Sequence, residues 1–291
     1  MELHGIHIPL VTPFAADGSV ALDALESLAH RLLDAGAAGL VALGTTGEPA
    51  TLGAAEKQSV IAVVGGVCRA RGAVLTVGAG SADTAGTVEA LAALDGVADA
   101  ALVTVPAFVR PGEAGVLAHF THLAEHSPVP LVVYHIPYRT GQALGAAALR
   151  RIGELPGVAG LKLATGAVDG DAVELLADLP PGFAVLAGDD LVVSPLLALG
   201  AAGGILASAH LATERFVALE QAWRAGDVSA ARALGHRLAG LSKAAFAEPN
   251  PAVVKGVLHA RGLIPTPDVR LPLLPAGGET VAAALAALGK L

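Results

Sequence analysis

Lys162 sits in the run LPGVAGLKLATG, Leu155 to Gly166, with apolar or small neighbours for three residues on either side. The other lysines are Lys57, Lys243, Lys255 and Lys290. Burying an ammonium costs several kcal/mol, and a fall in the amine's pKa reduces that cost. A neutral amine near neutral pH is what attack on a carbonyl carbon requires. The plain alternative is a lysine at a strand end whose head reaches water. Tyr134, in PLVVYHIP, offers a phenol that can relay protons, or only a half-buried ring with one hydrogen-bond partner. Arg139, in PYRTG, can fork a substrate carboxylate or lie on the surface. GTTGE, Gly44 to Glu48, offers the hydroxyls of Thr45 and Thr46 and successive N–H groups, Gly47 included, that suit a carboxylate. It also reads as an ordinary strand-to-helix turn.

Other polar clusters read as structural. Asp189 and Asp190 follow a strand without partner carboxylates for Mg²⁺, so a turn is expected. HFTH, His119 to His122, lies on a helical stretch and reads as packing or solvated, and no metal-ligand constellation is expected. Cys68 falls on the apolar face of a helix with Val60, Val64 and Val67, as a buried thiol does. A single cysteine excludes an intramolecular disulfide framework.

The elements that would position these residues recur in pairs, a short apolar run and then a helical pattern. The runs are Ile6–Val11, Gly39–Gly44, Ala73–Gly80, Ala100–Pro106, Pro130–Pro137, Val158–Ala164, Phe183–Gly188 and Gly203–Ser208. Helical spacing follows at 22–33, 56–71, 84–94, 113–126, 146–154 and about 169–178. Alternation of this kind implies parallel strands with crossover helices, and eight units imply a closed (β/α)₈ barrel. The expected fold is therefore an α/β TIM barrel over residues 1–212. A C-terminal helical region over 213–291 would pack on it, with helices at 214–225, 228–247, 251–260 and 279–288. An open, doubly wound sheet would ask for a glycine-rich nucleotide loop after the first strand, and TPFAADG is not one. In a barrel, catalytic groups lie where strands end, which is where Thr45, Tyr134, Lys162 and Asp189 fall.

The chain has 291 residues, 54% of them hydrophobic, and a net charge of −8. That charge argues against a nucleic-acid partner, and no basic amphipathic stretch suggests a membrane surface. Leu191 to Ala212 has the length of a membrane span, but Pro195 and the glycines at 200, 203 and 204 break it into a short helix, a turn and a short strand. The N-terminus does not read as a signal peptide, and a cytoplasmic enzyme is expected.

GTTGE, YHIPYRTG, GLKLATG, AGDD and EPNPAVVK together resemble the dihydrodipicolinate synthase / N-acetylneuraminate lyase superfamily in order and spacing. The likeness runs from PLVTPF to VRLPLLP. It implies class I aldolase chemistry on small 2-oxo acids and aldehydes, in a homo-oligomer, a dimer or a tetramer. Lys162 would form an imine with pyruvate, Tyr134 would move protons with Thr45, and Thr46 with Gly47 would hold the carboxylate. The carbonyl of Ile205 would line the site. The protonated imine is itself the electron sink, so no cofactor or metal is implied.

RTG and EPNPxxVK resemble dihydrodipicolinate synthase in particular, where the arginine, here Arg139, engages the semialdehyde carboxylate. Two positions depart from that pattern. Phe108 replaces the tyrosine that a partner subunit supplies to the proton relay, and His135 replaces the usual asparagine. An aldolase or dehydratase for another 2-oxo acid, such as a 2-keto-3-deoxy sugar acid, is the enzymatic alternative. A non-catalytic 2-oxo acid sensor is a third. Alanines 54, 85 and 107 stand where a lysine-feedback pocket would need a histidine, a glutamate and a tyrosine, so no feedback by lysine is expected.

Overall fold

A computed structural model describes residues 3–291. In chain order the elements are β1 (Gly5–Pro9), α1 (Leu22–Asp34), β2 (Gly39–Ala42), α2 (Ala54–Arg71), β3 (Val74–Gly78), α3 (Thr84–Ala92), β4 (Ala100–Thr104) and α4 (Gly112–His126). There follow β5 (Leu131–His135), α5 (Pro137–Thr140), α6 (Ala146–Gly153), β6 (Val158–Leu163), α7 (Gly170–Ala177), β7 (Ala184–Ala187), α8 (Val193–Ala198) and β8 (Gly203–Ile205). The chain ends in α9 (Ala209–Arg224), α10 (Val228–Ala245), α11 (Ala252–Ala260) and α12 (Gly278–Leu288). The strands form a closed barrel in the order β1 to β8. It is the (β/α)₈ barrel with C-terminal helices that the alternation implied.

The chain divides into two compact units, one built on Thr76–Ile205 and the other on Gly5–Leu75 with Leu206–Leu291. In the first, every residue of β5 is buried, and so is all of β6 but Ala159. Strands covered on both faces explain why these runs are apolar without alternation. The register between β5 and β6 decides the chemistry. Leu131 pairs with Val158, but Val132 pairs with Gly160, so Ala159 is left over as a bulge. That extra residue puts Tyr134 opposite Lys162. Without it, a slip of one residue would set Lys162 beside His135, on the opposite face of the sheet. Two helices on this unit, α3 and α7, start on side-chain caps: Asp83 accepts from the Gly86 N–H at 2.8 Å and Asp169 from the Ala172 N–H at 2.9 Å.

In the second unit, α1 buries Leu25, Leu28, Leu32 and Leu33, the stripe read from its spacing. Glu56 reaches back to the Gly53 N–H at 2.8 Å to open α2, and Gly72 closes it in the left-handed conformation. α9 is broken at Ala212 (φ −148°, ψ 50°). The segment 191–212 contains α8 and β8, and no helix among the described residues is long and apolar enough to cross a membrane. One element was not anticipated. Residues 137–140, outside every helix that the spacing implies, form the one-turn helix α5, opened by Pro137 at its first position and closed by Gly141 at φ 71°.

Candidate active site

Lys162 lies on β6 and is 6% exposed. Its Nζ stands 4.2 Å from the centroid of the Tyr134 ring, on the neighbouring strand. Burial pulls its amine down from 10.5 to about 8. The negative charge of Asp190 opposes that shift, the positive charge of Arg139 adds to it, and Asp189 opposes it again. No ion pair joins Lys162 to a carboxylate among the described residues. The stem of the lysine depends on Gly188: a Cβ there would fall 2.7 Å from Lys162 Cγ and 2.9 Å from Ala164 Cβ. In the sequence Gly188 only ends the run Phe183–Gly188, because a clash with a side chain from another strand leaves no local mark.

Arg139, on α5, is close enough to Lys162 to act on its amine, and its guanidinium lies 5.0 Å from the centroid of the Tyr138 ring. Ile205 is buried at the C-terminal end of β8. Asp190 is buried in the short 3₁₀ turn after β7. Phe108 behaves differently. Its backbone is held, with φ 70° and its N–H donating to the Thr140 carbonyl at 3.3 Å, but its side chain is 94% exposed. Within one chain it is not part of the Lys162 pocket. His135, next to Tyr134 in sequence, points to the other face of the sheet. It is buried, and burial drops its imidazole to about 4, against the pull of Asp169 and Asp171.

The other unit holds the GTTGE turn. Thr45–Gly47 form a 3₁₀ turn in which Thr46 is buried and Thr45 exposed. The Gly47 and Glu48 N–H groups donate to Gly44 and Thr45 within the turn, so they are not available to an anion. Thr46 Oγ1 accepts from Asn250 Nδ2 at 2.9 Å, and Thr12 Oγ1 donates to the Gly47 carbonyl at 2.7 Å.

The Glu48 side chain does something that spacing did not suggest. One oxygen accepts from Lys255 Nζ at 2.8 Å and the other from the Arg270 N–H at 2.8 Å. α11 and the irregular segment that follows it therefore clamp the turn. Lys255 carries the same local signature as Lys162, with Ala252, Val253 and Val254 before it and Gly256, Val257 and Leu258 after it. Apolar flanks alone do not single out Lys162. Cys68 is buried, as read. His119 is buried, with Nδ1 2.9 Å from Thr84 Oγ1.

Comparison with known proteins follows the same pattern. The model of the dihydrodipicolinate synthetase family matches residues 2–290. The 4-hydroxy-tetrahydrodipicolinate synthase of Moorella thermoacetica is 39% identical over 295 residues, covering all of both chains. A chloride-inhibited dihydrodipicolinate synthase from Acinetobacter baumannii, solved in complex with pyruvate, superposes with a TM-score of 0.93 at 34% identity and 99% coverage of each chain. A monomeric variant of dihydrodipicolinate synthase superposes with a TM-score of 0.94 at 29% identity, covering 99% of this chain and 96% of its own. A match along the whole chain, on a barrel that sets a buried lysine against a tyrosine, leaves one assignment: the chain belongs to the dihydrodipicolinate synthetase family.

Proposed function

We propose that the protein is a pyruvate-dependent Schiff-base lyase that condenses pyruvate with L-aspartate-4-semialdehyde. The observation that carries this reading is Lys162: a buried amine brought down to about 8, with no carboxylate paired to it, over the ring of Tyr134. The neutral amine adds to the C2 carbonyl of pyruvate, and loss of water leaves a protonated imine. A proton leaves C3, the enamine forms, and its carbon attacks the aldehyde of the second substrate. The amino group of the new adduct then closes on the imine carbon and releases Lys162. Tyr134, with Thr45, moves the protons of these steps, Thr46 holds the pyruvate carboxylate from the turn that the Gly47 N–H closes, and Arg139 receives the carboxylate of the semialdehyde. Ile205 lines the pocket through its carbonyl. No cofactor enters this scheme.

The exposed, backbone-anchored ring of Phe108 supports a homo-oligomer in which this tip meets a second copy. A phenyl ring there has no hydroxyl to pass on a proton, and this favours the second reading, an aldolase or dehydratase for a 2-keto-3-deoxy sugar acid. Steady-state assay separates the two. Turnover of pyruvate with the semialdehyde, raised in Phe108→Tyr, is the expected result. Turnover of keto-deoxy acids alone would overturn it. With alanines at 54, 85 and 107, millimolar lysine is expected to leave the rate unchanged, and strong inhibition would contradict that.

A further inference from the structure

α4 ends in the sequence HLAEH, and its last turn carries a group of side chains that the chemistry above does not use. His122, Glu125 and His126 stand at i, i+3 and i+4, on one face of the helix, and all three are exposed. Their ligand atoms lie within 4.8 Å of one another. We propose that these three residues bind a divalent transition-metal ion, Zn²⁺ foremost. Tetrahedral Zn²⁺, with bonds of about 2.0–2.1 Å, asks for roughly 3.4 Å between ligand atoms. Rotation of exposed side chains supplies that closure without moving the backbone.

Three features point beyond chance proximity. The two imidazole rings stack with centroids 4.2 Å apart and planes 30° from parallel, so they lie side by side rather than diverging. His126 Nδ1 lies 2.8 Å from the His122 carbonyl oxygen. With its Nδ1–H donating there, the ring is held in one tautomer with the Nε2 lone pair outward, the arrangement that orients histidine ligands in metal sites. His126 is also the last residue of α4, where the partial negative charge of a helix C-terminus favours a cation. Two imidazoles and a carboxylate are a ligand set for Zn²⁺, Cu²⁺ or Ni²⁺ rather than for Mg²⁺ or Ca²⁺. Three protein ligands leave the fourth position to water. HFTH pairs His122 with His119 instead. That ring is buried against Phe120, and its exclusion moves the pair one turn on, to His122 and His126.

The test is calorimetric titration of the metal-stripped, untagged full-length protein with ZnCl₂ in a non-coordinating buffer. One ion per chain is expected, with a Kd on the order of 10 µM. His122→Ala and His126→Ala should each weaken binding at least about tenfold, and Glu125→Gln by less. With Cu²⁺, electron paramagnetic resonance should show two coupled nitrogens in the parent and one in His126→Ala. The variants lie on an exposed face, so their lyase turnover should match the parent. No binding up to about 1 mM Zn²⁺, or affinity unchanged in both histidine variants, would overturn the assignment.

Discussion

Two lysines are buried among the described residues, and they show what a lysine needs in order to be reactive. Lys255 is 0% exposed and Lys162 is 6% exposed. Each amine sits over an aromatic ring, Phe14 at 4.0 Å for Lys255 and Tyr134 at 4.2 Å for Lys162. The difference is the counter-charge. Burial pulls on both amines, but Glu48 stands 2.8 Å from Lys255 and works against that pull. Lys162 has only Asp190 and Asp189 acting on it without an ion pair, and Arg139 pushing the other way. An ion-paired ammonium is a structural clamp, whereas an amine short of counter-charge can lose its proton and attack.

Removing each amine breaks the comparison in opposite directions. Lys162→Met should lower turnover by more than about a thousandfold, because no other group forms the imine. It should not cost stability: replacing a poorly compensated buried amine with a shape-matched apolar chain is expected to raise unfolding free energy by about 2 kcal/mol. Denaturant unfolding beside the activity assay checks both. Lys255→Met should instead lower stability by about 3–5 kcal/mol, because it leaves Glu48 buried and unpaired. Adding Glu48→Gln should recover much of that loss. A Lys255→Met protein as stable as the parent would show that the pair is not a clamp.

Acid tests whether burial governs charge elsewhere in the two units. His135 and His210 are each brought to about 4 by burial. His210 is also committed as a neutral ring, its Nδ1 2.9 Å from the Ala207 carbonyl and its Nε2 accepting from the Val11 N–H at 3.2 Å. Between the ordinary histidine value of 6.5 and about 4, the unfolded chain binds more protons than the folded one. Stability should therefore fall as pH drops through that window, by about 1.4 kcal/mol per pH unit for each histidine. His135→Asn should flatten the slope by one histidine's share, and an unchanged slope would contradict the assignment. The smallest effect is on rate. Pyruvate kcat/KM should climb about tenfold per pH unit below about 8 and level off above it. A flat profile from neutral pH upward would place the reactive amine's pKa elsewhere.

Local pattern carried the strands, most of the helices and the barrel, because the strands are short runs buried mainly on both faces and helices such as α1 repeat an apolar stripe. Most boundaries shifted by a residue or two, as at β5, read over 130–137 and found at Leu131–His135, but β8 ends three residues earlier than read, at Ile205, and α9 starts five earlier, at Ala209. What stayed hidden is non-local. The bulge at Ala159 that sets Lys162 against Tyr134 belongs to a pairing, not to either strand. Glu48 and Lys255 are 207 residues apart, so nothing near either one announces the clamp, and the flanks of Lys255 imitate those of Lys162. Phe108 could be recognised as a departure from the family's tyrosine, but the exposure of its ring depends on how the loop at 106–111 is held.

The most direct measurement is borohydride reduction in the presence of pyruvate, followed by peptide mapping. One reduced pyruvate adduct per chain, on Lys162, with Lys255 unmodified, is the predicted result. An adduct absent from Lys162, or found equally on Lys255, would contradict the claim that the missing counter-charge is what makes one buried lysine reactive.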